Sequence, residues 1–119
     1  MAPRQVGRVV ARSTFAALRR PSGRAKNGPL QVVFSPLDDH QERAQVAFAV
    51  SKRCGGAVER NRIRRRLRSA VELISPPPRP GAYLVRTDPS VGQETFQDLI
   101  HCLDECFQKA SASNKERTA

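Results

Sequence analysis

Eight cations and a single acid lie between Lys52 and Arg68: Lys52, Arg53, Arg60, Arg62, Arg64, Arg65, Arg66 and Arg68 against Glu59. The chemistry open to such a set is recognition of a polyanion. Arginine predominates, and its planar fork donates bidentately to phosphate and stacks on exposed bases. A charge run is often no more than a solvated face. Here Glu59 and Glu72 can pair with Arg62 or Arg68 by helical spacing, but they cannot neutralise eight cations. The remaining self-repulsion makes a nucleic-acid partner the better account. Gly55-Gly56, just ahead of the arginines, lets the chain turn sharply and points amide donors outward at the positive end of a following helix. Phosphate fits such a place, although the pair serves equally well as a plain turn.

Three other groups have reactive residue types at suggestive spacing. Cys102 and Cys106 lie one helical turn apart beside His101, a spacing that can present zinc ligands. Cys106 nevertheless falls in an apolar stripe, and no second ligand pair recurs, so packing as a small hydrophobe is favoured. Cys54 beside Lys52 and Arg53 reads as a neutral turn residue rather than a reactive thiolate. Asp38, Asp39, His40 and Glu42 form the acid and imidazole cluster of the chain; paired carboxylates can hold Mg²⁺ for phosphodiester cleavage, but loop acids after a proline are usually turn formers. The expectation is therefore no catalytic side chain, no protein-bound metal and, with an odd cysteine count, three free thiols in a reducing compartment.

These residues need elements to position them. Ile63, Leu67, Ala70, Val71 and Ile74 recur at helical spacing and predict an amphipathic helix, stopped by Pro76-Pro77-Pro78-Arg79-Pro80-Gly81. At about 100° per residue, Asn61, Arg64, Arg65 and Arg68 then face outward, with Arg62 and Arg66 on a flank. Strands are expected over Leu30 to Ser35, Gln45 to Ser51 and Ala82 to Thr87, with residues 22–29 a basic turn or weak edge strand. In the second of these, Val46, Phe48 and Val50 share one face and only Ala47 and Ala49 the other, which suggests a helix packed closely on the small side or an accessible apolar groove on the opposite one. A short helix capped at Ser13 or Thr14 carries Phe15 and Leu18 and ends at Pro21. Thr95 with Asp98 reads as a capping box for a last helix whose stripe is Phe96, Leu99, Ile100, Leu103, Cys106 and Phe107.

A chain of 119 residues at net charge +10 has room for about one core. The expected organisation is a basic arm over residues 1–12, a single domain over 13–110 and a polar, fraying tail over 111–119. The class is α+β, a two-layer sandwich with helices packed on a mixed sheet of about four strands. No run approaches the roughly 18 apolar residues of a membrane span, and the N-terminus lacks a secretory core, so a cytoplasmic protein is expected.

The run Ser-Lys-Arg-Cys-Gly-Gly-Ala-Val-Glu-Arg-Asn-Arg-Ile-Arg-Arg-Arg-Leu-Arg, from Ser51 to Arg68, resembles the signature of the bacterial ribonuclease P protein subunit. That signature is a basic pair, a turn like Gly-Asn-Ala-Val, then Arg-Asn-Arg on a basic and apolar helix. Weaker likeness extends to Arg8, Phe15, the Phe34 strand, Tyr83-Leu84-Val85 and the helix from Thr95. The resemblance implies the order α-β-β-β-α-β-α with a left-handed βαβ crossover, against the usual hand. It implies a protein that assists RNA-catalysed removal of the 5′ leader of precursor tRNA, with Mg²⁺ required by the RNA–protein holoenzyme and no obligate protein partner. By the same likeness Lys52, Arg53, Arg60, Asn61, Arg62, Arg64, Arg65 and Arg68 face the catalytic RNA. A cleft between the first helix and the sheet would hold the single-stranded leader, with Phe15 and Phe34 at its aromatic positions. Gly56 stands where the family commonly has Asn, and a second aromatic of the first helix is replaced near Arg19. The alternative from composition is a ribosomal or other structural RNA-binding protein. A helix-turn-helix DNA regulator fits less well, because a strand and Gly-Gly precede the basic helix.

Overall fold

The structure, a computed structural model, describes residues 6–8, 16–36 and 44–118. Seven elements follow in order: β1 Val6–Arg8, β2 Gly23–Asn27, β3 Leu30–Ser35, β4 Ala44–Val50, α1 Ala57–Glu72, β5 Gly81–Thr87 and α2 Phe96–Thr118. A 3₁₀ turn over Lys52–Cys54 precedes α1, and another over Pro89–Gln93 precedes α2. The strands form one mixed sheet in the order β1-β4-β5-β3-β2. β2 and β3 form a hairpin, β3 pairs antiparallel with β5, and β4 runs parallel to β5 across the α1 crossover.

Register places Phe34, Tyr83 and Val46 in one cross-strand row, and Val32, Val85 and Phe48 in the next. Both helices cover this face. Ile63, Leu67, Ala70 and Val71 of α1, together with Leu99, Leu103, Cys106 and Phe107 of α2, bury against it. Tyr83 is the keystone: its ring centroid lies 4.9 Å from Phe34 and 4.8 Å from Phe107, the latter edge-on. Its hydroxyl donates to the Arg79 carbonyl oxygen at 2.7 Å, which satisfies the one polar atom of a ring otherwise sealed in the core. Burial pushes that phenol up to about 12.

Residues 16–20 form a helical turn, closed by Arg19 and Arg20 N–H donating to Ala16 and Ala17 carbonyls at 3.1 Å. Leu18 from this turn packs on Val33, Ala82 and Leu84, on the sheet face opposite the two long helices. Among the described residues nothing else covers that face: Ala49 and Arg86 are exposed, while Gln31, Ala47 and Leu84 are half-buried. The Val46, Phe48 and Val50 face of β4 is the one packed in the core, so no apolar groove opens there, and among the described residues no long helix sits on Ala47 and Ala49.

Two differences from the sequence reading have simple causes. Val6–Arg8, expected within a flexible arm, pairs parallel with Ala44 to Val46 as an edge strand, too short to show alternation. α2 runs on to Thr118 rather than stopping near residue 110, because no Gly or Pro interrupts residues 96–118. Phe15, and Asp38, Asp39, His40 and Glu42, lie outside the described residues.

Candidate nucleic-acid interface

The basic run begins where β4 ends. Gly55 closes the 3₁₀ turn at φ 128°, a conformation that L side chains avoid, and a Cβ there would meet Glu59 Cβ at 3.0 Å. Gly56 is the N-cap of α1 and offers no side-chain acceptor, so the first amides of the helix point outward uncapped. Lys52 and Arg53 stand exposed on the preceding turn beside them.

Helical phase then sorts the arginines of α1. Arg62, Arg65 and Arg68 are exposed, as is Asn61, whose side-chain oxygen accepts from Arg64 Nη1 at 2.9 Å. Arg62 lies 3.8 Å from Glu59, an exposed pair of little energetic weight. Arg68 sits 6.0 Å over the Phe48 ring, which holds its guanidinium against the sheet edge. Arg66 turns the other way and donates from Nη2 to the Glu94 carbonyl at 2.9 Å, so it ties α1 to the approach to α2. Arg60 is half-buried, and its Nε has no hydrogen-bond partner among the described residues. Arg64, expected on the outward face, is also half-buried and turns toward the open face of the sheet.

There it meets residues that charge-run reasoning passes over. A cleft of about 430 Å³ is lined by Lys26, Gln31, Arg53, Arg64, Arg86 and Asp88 among others. Lys26 pairs with Gln31 in register, Gln31 with Arg86, and Arg86 with Ala49, so one row crosses four strands as cation, amide, cation and methyl. Small Ala49 opens the floor, and the cations stand around it. The available signal is the alternation of Val85 with Arg86 and of Ala25 with Lys26, which puts both cations on the face without long helices. Such a surface suits the phosphates of a single strand.

Phe34 requires a correction. Expected as an aromatic of the leader site, it is only 3 % exposed and lies against Tyr83 under the helices, on the face away from the cleft. Alternation decides this, because β3 sends Val33 to the open side and Phe34 to the core. Arg19 is exposed on the short helical turn.

The thiols are free and structurally occupied. Cys102 donates to the Asn27 carbonyl at 2.8 Å, and burial, then neighbouring Cys106 and Glu94, pushes it up to about 12. Cys106 is fully buried and raised for the same first reason. Cys54 Sγ rests 3.6 Å from Thr87 Oγ1. Among the described residues, no three His, Cys, Asp or Glu side chains converge as a metal-ligand set. No described helix is long and apolar enough to cross a membrane.

The family model for ribonuclease P matches residues 4–111 of this chain. Curated relatives include the ribonuclease P protein component of Acidothermus cellulolyticus, 34% identical over 106 residues and covering 88% of each chain. That of Streptomyces bikiniensis is 38% identical over 112 residues, covering 86% of this chain and 89% of the relative. Among solved structures, the Staphylococcus aureus RNase P protein superposes with a TM-score of 0.71 at 19% identity, over 85% of this chain and 92% of that one. At that identity the superposition speaks for the fold.

Proposed function

The chain belongs to the ribonuclease P protein family, and on that basis we propose how its surfaces divide the labour of tRNA 5′ maturation, the process in which this protein component acts. Exposed Lys52, Arg53, Asn61, Arg62, Arg65 and Arg68 dock on the phosphates of the catalytic RNA. The row Lys26–Gln31–Arg86–Ala49 on the open sheet face takes the single-stranded leader of the precursor. The observation that carries this reading is the continuity of the two surfaces: Arg53 and Arg64 belong to the basic run and also line the cleft. A leader lying there therefore enters directly from the RNA-docking side.

In this division the protein screens phosphate repulsion and positions the leader, and phosphodiester hydrolysis belongs to the RNA subunit. In this reading the Mg²⁺ ions that the holoenzyme requires are held by the RNA. The setting is the cytoplasm, where precursor tRNA is made.

Precursor cleavage by the cognate RNA subunit at low Mg²⁺, with and without the protein, tests the reading. Added protein should restore 5′ cleavage at Mg²⁺ levels where the RNA alone is inactive. Tight binding without any gain in cleavage would instead identify a structural RNA-binding protein.

A further inference from the structure

Among the cations of the cleft stands one carboxylate. Asp88 follows the last residue of β5, is exposed, and makes no side-chain hydrogen bond or ion pair with any described residue. It does not cap the 3₁₀ turn that it precedes. Its main chain is nevertheless held, since its N–H donates to the Pro29 carbonyl at 2.8 Å and ties it to the β2–β3 turn. Asp88 thus lines the cleft from an anchored backbone, and among the described residues its carboxylate has no partner.

Donor and acceptor logic restricts what satisfies it. Lys26, Arg53, Arg64 and Arg86 only donate, and they are matched to phosphate oxygens. An ionised carboxylate only accepts and repels phosphate, so along a strand it needs a base or sugar donor. Guanine alone offers two adjacent donors, N1–H and the N2 amine, spaced for the two carboxylate oxygens. Adenine and cytosine place a ring acceptor beside their single exocyclic amine, which opposes the second oxygen. Uracil sets its N3–H between two carbonyls.

We infer that Asp88 reads an unpaired guanine in the precursor leader and is a specificity-determining residue of this protein. The inference rests on the leader occupying the cleft. Gln31, which can donate and accept, adds no preference of its own.

The test uses the holoenzyme reconstituted from the full chain and its RNA subunit, with precursors randomised across the leader. Selected substrates should be enriched about tenfold in guanine at one leader position, the scale of a bidentate base contact. Replacing that guanine by inosine, which lacks the N2 amine, should remove most of the preference. Asp88→Ala should flatten the profile, and Asp88→Asn, with one donor and one acceptor, should move it toward adenine. The same base profile in Asp88→Ala as in the parent protein, at matched melting temperature, overturns the inference, as does a leader profile without guanine preference. Lys26→Ala and Arg86→Ala separate the premise. If they lower affinity for leader-bearing relative to leaderless tRNA while guanine is ignored, only the role of Asp88 falls. If that difference is unchanged, the leader does not occupy the cleft.

Discussion

Adjacent arginines of one helix do different work because each step of about 100° aims them elsewhere. Arg65 and Arg68 are exposed, the latter over the Phe48 ring, whereas Arg66 between them is committed to the Glu94 carbonyl. Arg65→Ala or Arg68→Ala should therefore flatten the salt dependence of RNA-subunit binding, by roughly one unit of log–log slope for each phosphate no longer neutralised. Arg66→Ala should leave the slope in place and cost about 1–2 kcal/mol of stability, the scale of a hydrogen bond from a charged donor. Filter binding across a salt series, with thermal melts beside it, measures both. Equal slopes in all variants would mean that the outward arginines face only solvent. The charge of this run is legible residue by residue, but its division into docking, cleft and structural members is not.

Elements are where local chemistry speaks most clearly. The apolar spacing from Ile63 locates α1, the triple proline ends its region, and Thr95 caps α2 by accepting from the Asp98 N–H at 3.1 Å. The entry to β5 shows what local reading misses. Gly81 adopts φ 144°, and a Cβ there would run into Phe34 Cε1, so the strand can start beneath the aromatic cluster only without a side chain. Gly81→Ala should destabilise the fold by roughly 2–5 kcal/mol, combining backbone strain with overpacking. Denaturant melts give the number, and a loss no larger than that of an ordinary surface substitution would refute the packing account. A glycine after prolines reads as a simple turn from sequence. Its tight approach to Phe34 depends on the β3–β5 register.

At the scale of the molecule, the helices and sheet seal a core whose ionisable members are kept neutral. Tyr83 and Cys102 are both held at about 12, from ordinary values of 10.0 and 9.0, mainly by burial. In the unfolded chain each group loses its proton at the lower value, so above it the folded state binds more protons and stability declines with rising pH. Their contribution is complete below about pH 9 and is lost progressively toward pH 12. Melting temperatures from pH 8 to 11 should fall along that course, and Cys102→Ser, which keeps a donor for the Asn27 carbonyl, should make the fall shallower. A flat profile, or one that Cys102→Ser does not alter, would argue that these groups titrate normally.

Residue order is enough to locate β3, β4, β5 and the two long helices, to say that the basic helix has an apolar inside, and to show that the molecule carries charge for a polyanion, whereas the three-residue β1 escapes it. Those properties are periodic or additive along the chain and need no knowledge of distant neighbours. The likeness from Ser51 to Arg68 is equally local, and the family model matching residues 4–111 agrees with it. Which side of the sheet the helices cover is a different matter, settled by packing between distant segments. Alternation defines two faces of a strand without saying which is sealed, so reading along the chain assigns Phe34 to the leader site when it belongs to the core. The cleft likewise has no linear trace, because Lys26, Gln31, Ala49 and Arg86 sit on four strands and become one row through sheet register alone. Long-range pairing is what converts scattered residues into a binding surface.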